Sequence, residues 1–235
     1  MTNLKPAQST FIASVLQLKP KVAAFDCDGT LWSGDAGEGF FRWSMERGMV
    51  SEDIASWARA RHADYKEGLV DEDVMCGEMC TMYRGLRAET LQRATDEFFE
   101  IGIAPGIFPE MRELVLRLRA AGTDVWAVSS SNHWIIRSAM RGFGIPSDRI
   151  LAAEAVVKDG VVVDDLVRIP SGPGKPDALR EVLPSPPDCA FGNSVWDREM
   201  LEMVEHPFAI NPNPRLQEIA EGKSWPIYQP NQVRP

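Results

Sequence analysis

Val22-Ala23-Ala24-Phe25-Asp26-Cys27-Asp28-Gly29-Thr30-Leu31 is the stretch on which the fold of this chain turns. Four apolar residues, Val22 to Phe25, follow Pro20 and Lys21. So short an apolar run predicts a strand buried on both faces. It ends on two carboxylates one residue apart, then Gly29 and Thr30. In an extended segment alternate side chains point the same way, so Asp26 and Asp28 share a side and Cys27 turns from them. Ligands of open α/β sheets bind just beyond the carboxyl ends of strands, which makes the acidic pair a candidate site. Two like charges so close call for solvent, a shared proton or a cation, and a hard divalent ion such as Mg2+ suits them. An acidic turn is the plainer reading of Asp-x-Asp-Gly alone; the apolar lead-in and the rest of the chain weigh against it.

Downstream the periodicity changes. From Gly34 to Pro105 it predicts helices near 38–47, 52–66, 71–84 and 88–101, parted by Gly48, Gly68 and Gly85. Ser51 ahead of Glu52 and Asp53 reads as a helix start with acids in its first turn. Trp32, Phe40, Phe41, Trp43, Trp57, Phe98 and Phe99 read chiefly as the core of this block. An aromatic cage for a quaternary ammonium, built from Trp32 and Trp43, is the alternative. Beyond Pro105-Gly106 strands and helices alternate: a helix over 109–121, strands over 124–128 and 149–152, and a helix from His133 between them. Asp159-Gly160 marks a hairpin joining 155–158 to 161–165. Lys175 stands just ahead of a helix with Pro176 at its first position. A strand over 188–191 runs into Gly192-Asn193-Ser194-Val195-Trp196-Asp197, then come a helix, a strand over 207–210, a helix over 214–221 and a loose Pro-rich tail from Pro226. This alternation predicts an α/β fold, a doubly wound parallel sheet. The helical block interrupts it, giving a core of residues 1–33 and 106–235 and an inserted helical cap of 34–105 over the catalytic end.

Composition sets outer bounds. The chain has 235 residues, 44% of them hydrophobic, enough for one medium domain with an insertion. A net charge of −9 argues against nucleic-acid and anionic-membrane surfaces, though one cleft can still take an anionic substrate. Cys27, Cys76, Cys80 and Cys189 read as buried reduced thiols, because His62, His133 and His206 are too scattered to complete a zinc site with the Cys76–Cys80 pair. No run is long enough for a membrane span. Phe11 to Leu18 reads as an amphipathic helix rather than a signal core, since cleavage near Ala24 would cut the first strand. These features predict a cytoplasmic protein; oligomeric state is not legible.

The polar groups at successive strand ends are those phosphoryl transfer needs. A carboxylate can attack phosphorus. A second carboxyl can protonate the leaving oxygen and then activate water. A hydroxyl at a helix start can hold a phosphoryl oxygen, and a lysine with a metal ion can neutralise its charge. Each has a plainer alternative: Ser129 as a helix cap, Lys175 as an exposed loop lysine, Asp197 as a surface acid.

In that order the set Asp26/Asp28/Thr30, Ser129, Lys175 and Asn193/Asp197 resembles the haloacid dehalogenase-like superfamily over about residues 21–212. The block from Gly34 to Pro105 and the hairpin at 155–165 resemble the phosphoserine-phosphatase-like branch. The resemblance implies a Rossmann-like core and a Mg2+-dependent phosphatase that acts through an aspartyl-phosphate on a small phosphorylated metabolite. It implies Asp26 as nucleophile and metal ligand, and Asp28 as general acid/base whose main-chain carbonyl also meets Mg2+. Ser129 or its neighbour Ser130 would hold the phosphoryl group with Lys175, and Asn193 and Asp197 would support the metal. Asn193 stands where the family usually has Asp, so a weaker ligand and a millimolar-order Mg2+ requirement are expected. A decayed site that binds without turnover is the alternative. A dehalogenase-type hydrolase is the other, disfavoured because that branch characteristically lacks the second Asp. Asp35 and Glu38 would read the substrate, and they suit a cationic one. Met79, where phosphoserine phosphatases carry a carboxylate-binding Arg, makes phosphoserine a poor fit.

Overall fold

The computed structural model of the chain describes residues 4–230. Strand β1, Val22–Phe25, sends Ala23 and Phe25 into one core and Ala24 into another, all three fully buried. A strand with apolar side chains on both faces must lie inside a sheet. The remaining strands are β2 Asp124–Asn132, β3 Ile150–Lys158, β4 Val161–Arg168, β5 Cys189–Gly192, β6 His206–Ile210 and β7 Ile227–Tyr228. They join in the order β4-β3-β2-β1-β5-β6-β7, with β1 in the middle. All neighbours are parallel except β3 and β4.

Helices cover both faces, which is what a doubly wound sheet requires. On one lie α1 Pro6–Gln17, α6 Pro109–Ala120 and α7 His133–Met140, burying Ile12, Leu114 and Ile136 with Phe25. On the other, α8 Gly174–Val182, α9 Arg198–Glu202 and α10 Pro214–Gly222 bury Leu179, Leu201 and Leu216 against Ala24 and Ala190. Register places Phe25 beside Phe191 and Phe191 beside Phe208. Their rings stack at centroid separations of 4.1 and 4.9 Å. Deleting the middle ring strips both neighbours, so Phe191→Ala should cost about 3–5 kcal/mol, read from the urea midpoint.

Four helices, α2 Ala36–Glu46, α3 Glu52–Lys66, α4 Glu72–Thr81 and α5 Ala88–Phe98, lie between β1 and α6 in the chain. Ser51 caps α3 by accepting the Ile54 amide, as its sequence context predicts. Phe40, Tyr83, Leu91 and Phe98 bury themselves in the same apolar cluster as the sheet's upper face. Trp43 lies against Phe40, Phe98 and the Arg47 guanidinium, while Trp32 is buried beside Phe143. The two tryptophans therefore pack and form no shared cage. Residues 85–88 pair with the outer edge of β4 through Gly85 N–H to Val162 O, Val162 N–H to Leu86 O and Ala88 N–H to Gly160 O, each 2.9 Å.

Several boundaries differ from expectation. Strand β2 runs on to Asn132, with an irregularity between Ser129 and Asn132. The two predicted strands around Ala153 are one, β3, whose hairpin with β4 turns through Asp159 (φ 51) and Gly160 (φ 77), the left-handed pair of a tight turn. The helix expected to reach 101 gives way to a π-helical turn, Phe99–Ile103, and then a 3-10 turn, Ala104–Gly106, as Gly102 and Pro105 loosen it. Lys175 lies inside α8, one residue past its start, and Pro176 is the third residue rather than the first. The tail is not loose where described: Ile227–Tyr228 adds a seventh strand beside β6, and Tyr228 stacks on Phe11 at 3.8 Å. Residues 231–235 lie outside the described residues.

Candidate active site

The end of β1 is fastened from three directions. Asp26, 5% exposed, accepts the Thr30 hydroxyl on Oδ2 at 2.7 Å and the Lys175 ammonium on Oδ1 at 2.7 Å. Lys175, 2% exposed, also donates to Val128 O, the last apolar residue before the serines of β2, and to Asp197 Oδ1 beyond β5. Three neighbouring strands thus meet on one ammonium. Lys175 is no loop lysine, and Asp197, fully buried, is no surface acid.

Asp197 ties down the loop after β5. Its Oδ2 accepts the Asn193 and Ser194 amides, both at 2.9 Å, closing a capping box around a single turn. Asn193 in turn lies against Gly29. A Cβ on Gly29 would stand 1.8 Å from Asn193 Nδ2, and the backbone there has φ +73, so only glycine suits the position.

Asp28 is held separately. Oδ1 accepts the Trp32 indole N–H at 2.8 Å and the Ala36 amide at 2.6 Å; Oδ2 accepts the Ser131 hydroxyl at 2.7 Å. Of the three serines ending β2, Ser130 and Ser131 border the cavity. Ser129 is buried, and its hydroxyl accepts the Ser131 amide at 3.1 Å.

Electrostatics follow from this crowding. Burial, then the Asp197 charge, push Asp26 up to about 6 against the opposing pull of Lys175. Burial, then Asp35, push Asp28 up to about 7. Burial disfavours the Lys175 charge, yet Asp197 and Asp26 outweigh it and keep the ammonium charged. Burial also raises the Cys27 thiol, an inert neighbour facing the core.

Asp26, Asp28, Lys175 and Asn193 share a cavity of about 220 Å3 with Asp35 and Glu72. A smaller lobe of about 100 Å3 continues beneath the helices, bordered by His62, Met75, Cys76 and Met79. Asp35 borders both lobes and caps α2 by accepting the Glu38 amide at 2.7 Å. Glu38 borders only the inner lobe, its charge spent on Lys66 at 3.0 Å and on Arg42. Three wall residues escaped sequence reasoning. Ser131 follows the expected serines by one and enters only because β2 runs longer than its apolar core. Tyr65 and Glu72 carry no local signal, since helix packing alone brings them there.

A sequence profile for haloacid dehalogenase-like hydrolases matches residues 23–202. The chain belongs to that family. A histidinol-phosphatase of Neisseria meningitidis is 26% identical over 217 residues, 88% of this chain and 97% of that protein. Phosphoserine phosphatase SerB1 of Mycobacterium tuberculosis is 28% identical over 215 residues, 87% of this chain and 69% of that one. Among solved structures, a Bordetella pertussis protein of unknown function superposes with a TM-score of 0.75 at 23% identity, spanning 88% of this chain and 97% of that one. A substrate-bound phosphoserine phosphatase gives 0.61 at 17%, spanning 90% and 93%. The chain is thus a phosphatase-type member of the family, a phosphoric monoester hydrolase of the phosphoserine-phosphatase-like branch. Among the described residues no helix is long and apolar enough to cross a membrane.

Proposed function

We propose that the chain is a Mg2+-dependent phosphomonoesterase acting through an aspartyl-phosphate on Asp26. The observation that carries this is the pairing of a cavity-lining carboxylate at the tip of β1 with a buried ammonium, with a second carboxyl in the same cavity. Thr30 and Lys175 hold the Asp26 carboxylate, leaving an oxygen lone pair for phosphorus. Asp28, retaining its proton near neutrality, delivers it to the departing alkoxide. Once ionised, it takes a proton from the water that cleaves the acyl phosphate. Ser131, donating to Asp28 Oδ2, keeps that carboxyl aligned in both steps. Lys175 faces the charge on the transferring oxygens, with Ser130 beside it.

The residues suit magnesium by chemistry. Two carboxylates, Asp26 and Asp197, stand against the buried ammonium of Lys175 with the Asp28 carboxyl nearby, an excess that a hard cation would relieve. Among the described residues no three His, Cys, Asp or Glu side chains gather about one point. The set would therefore be the Asp26 carboxylate, the Asn193 amide oxygen and the main-chain carbonyl of Asp28. Asp197 would act through Lys175 and the loop amides rather than as a ligand. The metal would supply charge neutralisation on the phosphoryl group. Exchanging Asn193 for Asp adds a charge, so Asn193→Asp should lower the Mg2+ concentration needed for half-maximal activity several-fold. It should also enlarge the rise in Tm on adding Mg2+. An unchanged requirement and an unchanged thermal shift would remove Asn193 from the ligand set.

Among the described residues no arginine borders either lobe, and Met79 borders the inner one. A substrate carboxylate finds no free cation there, since Lys66 and Lys175 are paired. An ester of the kind the histidinol-phosphatase relative is named for fits better than phosphoserine. The four free thiols support a reducing, cytoplasmic setting. Turnover of p-nitrophenyl phosphate with Mg2+, together with a phosphoryl adduct on Asp26 in quenched mixtures by mass spectrometry, tests the reading; release of phosphate with no adduct on Asp26 overturns the aspartyl-phosphate. A phospho-ligand-binding protein would show neither.

A further inference from the structure

The inner lobe, about 100 Å3, has room for a group of a few heavy atoms. Glu72, at the first position of α4, borders it and the outer lobe alike. Its carboxylate accepts the Tyr65 hydroxyl on Oε2 at 2.5 Å and the Ser171 hydroxyl on Oε1 at 3.3 Å. Those donors fix its orientation and leave acceptor lone pairs toward the cavity. The lysines and the histidine that face the lobes are already placed beside carboxylates. Lys175 is held by Asp26 and Asp197, and Lys66 by Glu38, which also lies 3.9 Å from His62. Among the described residues no lysine, arginine or histidine forms an ion pair with Glu72. A half-buried carboxylate with hydroxyl donors but no counter-ion is costly to keep, and a cation from outside would repair the deficit.

We propose that Glu72, oriented by Tyr65, binds a cationic nitrogen on the alcohol portion of the substrate, so that the enzyme selects phosphomonoesters carrying a protonated amine a few bonds from the ester oxygen. This assignment rests on the phosphatase reading and goes beyond it. Met75 and Met79 give the carbon chain between the two charged ends an apolar wall. Binding energy gathered at Glu72 positions the phosphoryl group against Asp26, so the cation contributes to kcat/KM rather than to affinity alone.

The test compares O-phosphoethanolamine with its uncharged isostere propyl phosphate, with p-nitrophenyl phosphate as a reference, all in Mg2+. The wild-type protein should favour the amine in kcat/KM by ~10- to 100-fold, the range of a charge-assisted hydrogen bond. Glu72→Gln should bring the two esters to parity by lowering kcat/KM for the amine, and Glu72→Asp should keep a reduced preference. Should the glutamine variant fail to fold, the wild-type ratio and the aspartate variant decide. Turnover of p-nitrophenyl phosphate without preference for the amine, or a preference that survives Glu72→Gln, overturns the assignment and leaves the phosphatase reading standing. No turnover of any of the three esters overturns both.

Discussion

Asp26→Asn is expected to lower kcat for p-nitrophenyl phosphate by roughly four orders of magnitude or more, with the fold intact. An amide oxygen is too weak a nucleophile to attack phosphorus, and no other carboxylate takes its place. Asp28 has both oxygens committed to Trp32, Ala36 and Ser131, and Asp197 is sealed behind Lys175. The structural role of residue 26 survives the change, because an Asn Oδ1 still accepts from Lys175. One buried negative charge also disappears from a site where burial and Asp197 already strain it. Circular dichroism and Tm should therefore match the wild type or exceed it slightly while phosphate release vanishes. The variant should also yield no phosphoryl adduct. Residual activity within tenfold of wild type would remove Asp26 from the nucleophile's role and with it the proposed chemistry.

Lys175→Met is the largest expected effect on stability. The ammonium sits between two buried carboxylates, and taking one partner from a buried ion pair costs about 3–5 kcal/mol, because the remaining charges lose their counter-ion. Methionine matches the chain length, so the loss is electrostatic rather than a cavity. A fall of this size should appear in urea unfolding as a lower midpoint with an unchanged slope. Adding Asp197→Asn to Lys175→Met should recover part of it, since the two residues act on one another directly. An additive double variant would show that Asp197 is stabilised by its loop amides alone. Activity should be lost in both, because the charge facing the phosphoryl oxygens is gone.

The contrast between legible and illegible residues follows from range. The strand from Val22 to Phe25, the two acids at its end, the lysine at a helix start and the Gly-Asn turn after β5 are each written in a few consecutive residues. The alternation of elements was enough to bring Asp26, Asp28, Lys175 and Asn193 to one end of one sheet. Asp197 was legible as part of the group, but not its direction; a single helical turn after Ser194 rotates it inward to meet Lys175. Ser129 illustrates a register effect. The strand expected to stop at Val128 continues through three serines, so the hydroxyls nearest Asp28 belong to later residues than the apolar run suggests. Glu72 and Tyr65 were beyond reach because nothing local distinguishes them from solvated residues on helix surfaces. Only the packing of α3 on α4, and of α4 over β2, brings them to the cavity that Asp26 lines. The seventh strand was missed for a related reason. Two residues flanked by proline carry no periodicity, and the Ala209 and Asn211 amides at the end of the neighbouring strand make the pairing.

The main-chain bonds between residues 85–88 and β4 have a consequence for the protein's behaviour in concentrated solution. An unpaired rim of eight residues bearing exposed Leu166 and Val167 would be a template for strands from other molecules. Residues 85–88 occupy the turn end of that rim, from Gly160 to Val162, with their own backbone. A trimmed protein lacking residues 34–105 would bare the start of β4 as well. It is expected to self-associate through that border, read as a rise in light scattering with concentration.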